Sequence, residues 1–215
     1  MGSILILIQS VAEMKYGQQR YSADLKKLTK LASELGAGSA KVISTSDISV
    51  EDHLANLCKE PRCENYGLSA SCPPHVAGPS GFIKLLKKFE KAVVFKIDVS
   101  SEILLSSDRR EVFRALHEIS AFIELSAVEM GYQRSRAYAG GSCKRLFCHD
   151  YTHCRVLKEG EACRNPHRAR PSMSGFGINV SKLMQVAGWT MSRISQDAGR
   201  NEASLGTVCG LVLIG

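Results

Sequence analysis

Seven of the eight cysteines in this sequence fall in two short windows. In the first, Cys58, Cys63 and Cys72 are separated by four and eight residues, and Pro73-Pro74-His75 follows directly. In the second, Cys143, Cys148, Cys154 and Cys163 are separated by four, five and eight residues, with Asn165-Pro166 just beyond. Core cysteines fall at helix or strand periods among apolar neighbours. Here the neighbours are Pro, Gly, Lys, Arg and His, and Gly and Pro let a backbone bend so that thiolates converge on one point. Prolines after Cys72 and near Cys163 match the Cys-Pro ends of ferredoxin motifs. The four cysteines of the second window are enough to ligate one 4Fe–4S cluster completely. The three of the first leave one iron open to water, substrate or another ligand, so chemistry is expected at Cys58, Cys63 and Cys72.

Zinc is the alternative metal. Structural zinc sites pair closely spaced cysteine knuckles and close a tetrahedron with four ligands. The first window has only three cysteines, although His75 is a candidate fourth ligand. Disulfides or free thiols are a third reading. Cys209, alone in an apolar run, reads as a small buried hydrophobe.

Basic residues accompany both windows. Lys59 and Arg62 lie in the first; Arg164 and Arg170 lie at the end of the second, and Lys144, Arg145, Arg155 and Arg168 add to them. As a set they are expected to offset the negative charge of a thiolate-bound cluster or to hold an anion. Lys59, Arg62, Arg164 and Arg170 are the cofactor-binding candidates. His75, His149, His153 and His167 read as surface or hydrogen-bonding partners before ligands; His53 and His117 fall in predicted helices and read as structural. Ser172 reads as a helix cap. There is no P-loop, no dinucleotide fingerprint and no hydrolase triad motif.

The chain of 215 residues has a formal net charge of +7 and 44% hydrophobic residues. That length needs no disulfides to stay folded. The apolar start, Ile4 to Ile8, is too short to span a membrane and reads as a buried strand. Lacking a basic leader and a small-residue cleavage site, it is a poor signal peptide, so the expected compartment is the cytoplasm, where thiols stay reduced. Aromatic interleaving near the basic residues is sparse, which argues against a nucleic-acid channel.

The elements that must position these residues alternate. Periodicity predicts helices over 21–35, 48–57, 82–89, 108–131 and 179–187, with Ser46 or Asp47 capping the second. Strands are predicted over 40–44, 92–97, 134–138 and 207–214. The helix between the second and third strands is long enough for a parallel crossover. The expected fold class is α/β, a small mixed sheet of about four strands covered by helices, with α+β as the alternative. Residues 1–20 read as an extension and 21–215 as one metal-binding domain, with cysteine loops at 58–80 and 140–176.

Taken together, Cys58-Lys-Glu-Pro-Arg-Cys63, Tyr66-Gly67, Cys72-Pro73-Pro74-His75, Gly140-Gly141-Ser142-Cys143, Cys163-Arg164-Asn165-Pro166, Ala169-Arg170-Pro171-Ser172-Met173 and Gly177-Ile178-Asn179-Val180 resemble a prokaryotic family of unknown function described as predicted metal-binding proteins. The resemblance runs from about residue 21 to the C-terminus. Its second block usually shows a tighter cysteine pair than the four-residue gap between Cys143 and Cys148. It implies cysteine ligation of a metal centre, in an anaerobic bacterium or archaeon, and supplies no reaction.

The function expected from the residues is that of an iron–sulfur protein with two 4Fe–4S clusters. Its work would be electron transfer to a redox partner protein, or a redox or Lewis-acid step on a small anionic molecule at the three-cysteine cluster. A zinc-stabilised binding module, and an accessory protein passing electrons or clusters to an anaerobic enzyme, are the alternatives. The final strand could also pair across a homodimer.

Overall fold

The computed structural model describes residues 2–190 and 205–215. The first helix, α1, runs over Gly2–Glu34 and takes in residues 4–8. The strand expected there is therefore helical: a short apolar run cannot be told from a helix segment by periodicity alone. The helix also passes unbroken through residue 20, where the sequence suggested that an extension meets the domain.

The sheet has four strands in the order β1 (Ser39–Ser44), β2 (Lys91–Ser100), β4 (Leu205–Ile214) and β3 (Arg136–Tyr138). Every pairing is antiparallel, with Ala40 opposite Phe95, Phe95 opposite Gly210 and Ala137 opposite Val212. The expected mixed sheet is corrected here. β2 and β3 do run the same way, joined by a helical crossover, but β4 is inserted between them and pairs antiparallel with both. The last strand is thus interior, with β3 pairing along residues 211–213 of its second edge.

Both faces of the sheet are covered. Val93, Phe95, Val212 and Ile214 pack with Leu25 and Leu28 of α1 and with Leu116, Ile119 and Ile123 of α5 (Arg109–Glu129). Val94, Leu211 and Leu213 pack on the opposite side with Phe82 of α3 (Gly78–Leu86), Phe176 and Leu183. Cys209 belongs to this second layer, and burial pushes its thiol up to about 12. It is a core residue, as its apolar setting suggested. Central strands buried on both faces read as continuous apolar runs, and β2 and β4 are of that kind.

The remaining elements are short. The helix expected over 48–57 shrinks to α2 (Asp52–Asn56), and Ser46 and Asp47 lie instead in a 3-10 turn over Thr45–Asp47. Val50 is taken out of the helix by a bridge to Ile178. A further short helix, α4 (Ser101–Leu105), leads into α5. Near the C-terminal end, α8 (Val180–Val186) is capped by the Asn179 side chain, which accepts from Lys182 N at 3.0 Å. Among the described residues no helix is long and apolar enough to cross a membrane.

The closest fit in the sheet is between Phe95 and Gly210. A Cβ on Gly210 would lie 2.3 Å from Phe95 Cζ, and that ring is fully buried. Gly210→Ala should therefore lower the unfolding free energy by about 1–3 kcal/mol. Urea unfolding checks this, and an unchanged midpoint would show that the ring moves aside freely.

Candidate metal centres

The first cysteine segment leaves α2 and winds through successive tight turns. Cys63 N donates to Cys58 O at 3.1 Å, Tyr66 N to Cys63 O at 2.9 Å, Gly67 N to Pro73 O at 2.8 Å and Cys72 N to Ser69 O at 3.1 Å. Cys58, Cys63 and Cys72 line one hollow of about 140 Å³. Its remaining wall is Asn65, Tyr66, Pro73, Gly141 and three serines, Ser142, Ser172 and Ser174, with no fourth thiol and no imidazole. Burial raises the Cys58 thiol above its ordinary value, and the neighbouring Cys63 and Cys72 raise it further.

The second segment leaves β3 through Ala139. Cys143 opens a one-turn helix, α6 (Cys143–Phe147), and Cys148 ends it. Cys154 precedes a second such turn, α7 (Arg155–Lys158). Cys143, Cys148, Cys154 and Cys163 line one hollow together with Ser69, Lys144, Arg155 and Arg164. Asn165 serves two of these sulfurs: its amide N donates to Cys163 Sγ and its side-chain Nδ2 to Cys148 Sγ, each at 3.3 Å. Such donors favour the thiolate, although burial leaves the Cys148 thiol raised on balance. Lys144 Nζ donates to Cys148 O at 2.6 Å.

The two hollows are neighbours. Cys72 Sγ lies 3.6 Å from Ser142 Oγ, and the next residue, Cys143, faces the other site. The Cys143 thiol is pushed up to about 11 by burial; Ser71 and Ser69 work against that rise, and Cys72 and Cys163 add to it. Cys143 therefore feels one thiol from each group. The segments are also stitched by Ser172 N donating to Ser71 O at 3.3 Å and by Gly175, where a Cβ would lie 2.9 Å from Pro73 Cδ.

The donor chemistry fits a thiolate-bound metal centre at each hollow. A specific sign is Ser69 Oγ, which is buried beside the Cys143 thiol and makes no hydrogen bond of ordinary length. It borders the four-thiol hollow, where a thiolate or a cluster sulfide would accept from it. The packing is looser than a single ion requires. Among the described residues no three His, Cys, Asp or Glu side chains are gathered as ligands of one ion, and tetrahedral zinc would bring sulfurs within about 3.8 Å of one another. The four-thiol hollow itself measures about 20 Å³, room for roughly one water. A larger group there would require the cysteine side chains to swing outward.

Of the four basic candidates, Arg164 lines the four-thiol hollow, with its guanidinium 4.3 Å above the Tyr151 ring and an Nη2 donating to Glu159 at 3.1 Å. Lys59 and Arg62 are exposed in the first segment, and Arg62 lies 5.9 Å over Tyr66. Arg170 lines neither hollow. It is 7% exposed, and its Nε donates to Glu124 Oε2 at 2.6 Å and its Nη1 to Pro166 O at 2.9 Å. None of His75, His149, His153 and His167 lines either hollow; His153 bonds Glu159 at 2.8 Å instead.

Sequence reasoning missed Ser69, Ser142 and Asn165 as partners of the sulfurs. Only Asn165, two residues after Cys163, carried a local signal. It also missed the support beneath them. His117, a fully buried residue of α5, donates from Nε2 to Gly140 O at 2.9 Å and accepts at Nδ1 from Arg170 N at 3.0 Å. One neutral ring thus holds the entry and the exit of the second segment.

Fold and site define a mixed α and β protein with two adjacent thiol-lined hollows. The family described as "Predicted metal-binding protein (DUF2284)" matches residues 41–214, and the chain belongs to it. The match begins within β1, so α1 lies wholly outside it. No curated protein and no solved structure matches the chain.

Burial depresses the His117 imidazole from 6.5 to about 4, with the Arg170 charge acting the same way. Between those values the unfolded chain takes up a proton that the folded chain refuses. Stability should therefore rise with pH from about 4 to about 6.5 and level off above, by up to about 3 kcal/mol from this group. Urea midpoints at pH 5 and pH 7.5 should differ more for the native chain than for His117→Gln; equal differences would sink this reading. Arg170→Gln, which takes the ion-pair partner from the half-buried Glu124 carboxylate, should cost about 2–3 kcal/mol in the same assay. A loss below about 1 kcal/mol would show that solvent reaches the pair.

Proposed function

We propose that the chain is an iron–sulfur protein with two 4Fe–4S clusters, one on Cys143, Cys148, Cys154 and Cys163 and one on Cys58, Cys63 and Cys72. It would serve electron transfer, or a redox or Lewis-acid step on a small anionic molecule at the three-cysteine site. The observation that carries this reading is the sorting of the seven cysteines: four line one hollow, three line the next, and the two meet at Ser142 and Cys143. When bound, such clusters supply one-electron chemistry, and a three-thiolate site adds an iron open to an outside ligand.

The chain's own residues divide the work. Asn165, Lys144 and Arg164 surround the four-thiol hollow with donors and positive charge, which offset a negative centre and suit a site that only passes electrons. The three-thiol hollow has a wall of hydroxyls and a Tyr66 ring, without a fourth thiol or imidazole to close it. A cytoplasmic setting, where thiols stay reduced, goes with this reading. A redox partner protein would have direct access, since Cys63 is exposed.

The second reading is a zinc-built binding module with no catalysis. The four-thiol hollow, at about 20 Å³, needs less widening for one ion than for a cubane, although its thiols would still have to gather around that ion. Anaerobic purification with iron, zinc and acid-labile sulfide analysis separates the two. The proposal expects a brown protein with about eight irons per chain, falling to about four in Cys148→Ser and in Cys63→Ser. A colourless protein with zinc and no sulfide would overturn it in favour of the binding module.

A further inference from the structure

A cavity of about 670 Å³ belongs to neither cysteine hollow but adjoins one of them. It opens between the first turn of α5, helix α6 and the beginning of β4. Asn65, Gly141 and Ser142 line both it and the three-cysteine hollow. That volume is in the range of small-molecule sites.

Its lining has two characters. Arg109, Arg110 and Arg145 supply positive charge, against one carboxylate, Glu64. Leu104, Phe113, Leu146 and Val208 supply an apolar wall. Arg110 is the central cation, and one of its terminal nitrogens contacts His149 Nδ1. Arg110 lines the cavity, and a guanidinium holds an oxyanion through its terminal nitrogens in charge-assisted bonds. Arg145 bonds Glu64 at 2.7 Å, but both side chains are more than half exposed. An exposed pair of that kind contributes little and can exchange one carboxylate for another anion. His149 is also paired with Asp150, at 3.0 Å.

We propose that this cavity binds a small organic anion, a carboxylate or phosphate carried on an apolar body, with its charged head on Arg110 and Arg145. The apolar body packs against Phe113 and Val208, and the ligand reaches the Asn65–Ser142 wall of the three-cysteine site. This rests on the reading of that site as the open metal centre, and names the class of molecule that would be presented to it. Phe113 has a second task here: it packs under Gly140 and Gly141, where added Cβ atoms would lie 3.0 and 3.3 Å from its ring. The floor of the cavity and the turn that carries Ser142 and Cys143 are thus one packed unit.

Titration calorimetry of the anaerobically purified chain with phenyl phosphate, and separately with phenylacetate, tests the proposal. At least one should bind one to one, and the stronger of the two tells phosphate from carboxylate. Arg110→Gln should weaken that binding by about tenfold or more, as loss of a charge-assisted bond does. Arg145→Gln, at an exposed position, should weaken it in the same direction and covers the case in which the first variant fails to fold. No binding of either probe, or equal binding by the native chain and a folded Arg variant, overturns the site. Iron and sulfide analysis of the same samples keeps the two ideas apart. Binding without a cluster would overturn only the iron–sulfur reading, and a loaded cluster without binding would overturn only this one. Bound anion should also alter the paramagnetic resonance spectrum of the reduced protein, and the effect should vanish in Cys63→Ser. An unaltered spectrum with binding intact would overturn the reach to the three-cysteine site.

Discussion

The free edge of β3 is the constraint on which the rest of the site depends. A sheet edge exposes backbone groups that need partners, and here α5 supplies them with a polar stripe inside an otherwise apolar face. Glu124 accepts from Ala137 N at 2.9 Å and His117 donates to Gly140 O at 2.9 Å, while between them the Ser120 hydroxyl, bonded to Leu116 O at 2.8 Å, lies 3.4 Å from Tyr138 O. The three residues are spaced at i, i+3 and i+7, so they lie on one face of the helix. The stripe follows β3 to its end and one step beyond, to the turn where the second cysteine segment begins. The same residues then receive the returning chain, since Glu124 pairs with the Arg170 side chain and His117 with the Arg170 amide. Both ends of a long, turn-rich segment are fixed on a single rigid helix.

This arrangement explains how a segment with little core of its own can present four thiols to one hollow. Past Leu146 its ties are mostly polar and near the surface, such as Arg164 and His153 on Glu159. Ties of that kind hold a loop in place weakly, so its ends must be held strongly. The first segment is positioned from the other side, by α2, by Pro73 against Gly175 and by Ser71 against Ser172. The two segments meet because the chain at 171–175, fresh from the α5 clamp, forms the wall between Ala139 and the first cysteine turn.

Much of this was legible in the sequence, and the limits are physical. The long amphipathic helix at 108–131 and the four strands were readable because burial imposes a period on many residues at once. The grouping of cysteines was readable because it runs against both periods. The order of the strands was not: β4 shows the same apolar run whether it lies at an edge or between β2 and β3, and only tertiary pairing decides. Arg170 was misleading for a related reason. Next to a cysteine block it reads as a cation for a cluster, yet its burial against Glu124 depends on a helix far away in the chain. His117, Ser120 and Glu124 look like ordinary polar positions of a helix until the strand edge beside them is known.

The two hollows differ in a way that bears on how a centre would be acquired. Burial leaves the Cys58, Cys143 and Cys148 thiols raised above their ordinary values, so the bare chain holds them protonated near neutral pH. Metal ligation requires thiolates, and uptake must release those protons. At the four-thiol hollow, the proton is displaced beside Lys144, Arg155 and Arg164, whose charges compensate the thiolates that remain. At the three-thiol hollow no Lys or Arg lies in the wall; hydroxyls and Asn65 stand there instead. Cations stand outside that wall: Arg62 lies over the Tyr66 ring, and in the large cavity beyond Ser142 Arg145 donates from Nε to Asn65 Oδ1 at 3.3 Å. On the proposed reading, positive charge therefore lines the wall of the saturated centre but stands behind the wall of the open one. An anion drawn to that charge would be brought alongside the open centre, with the two serving as a single site.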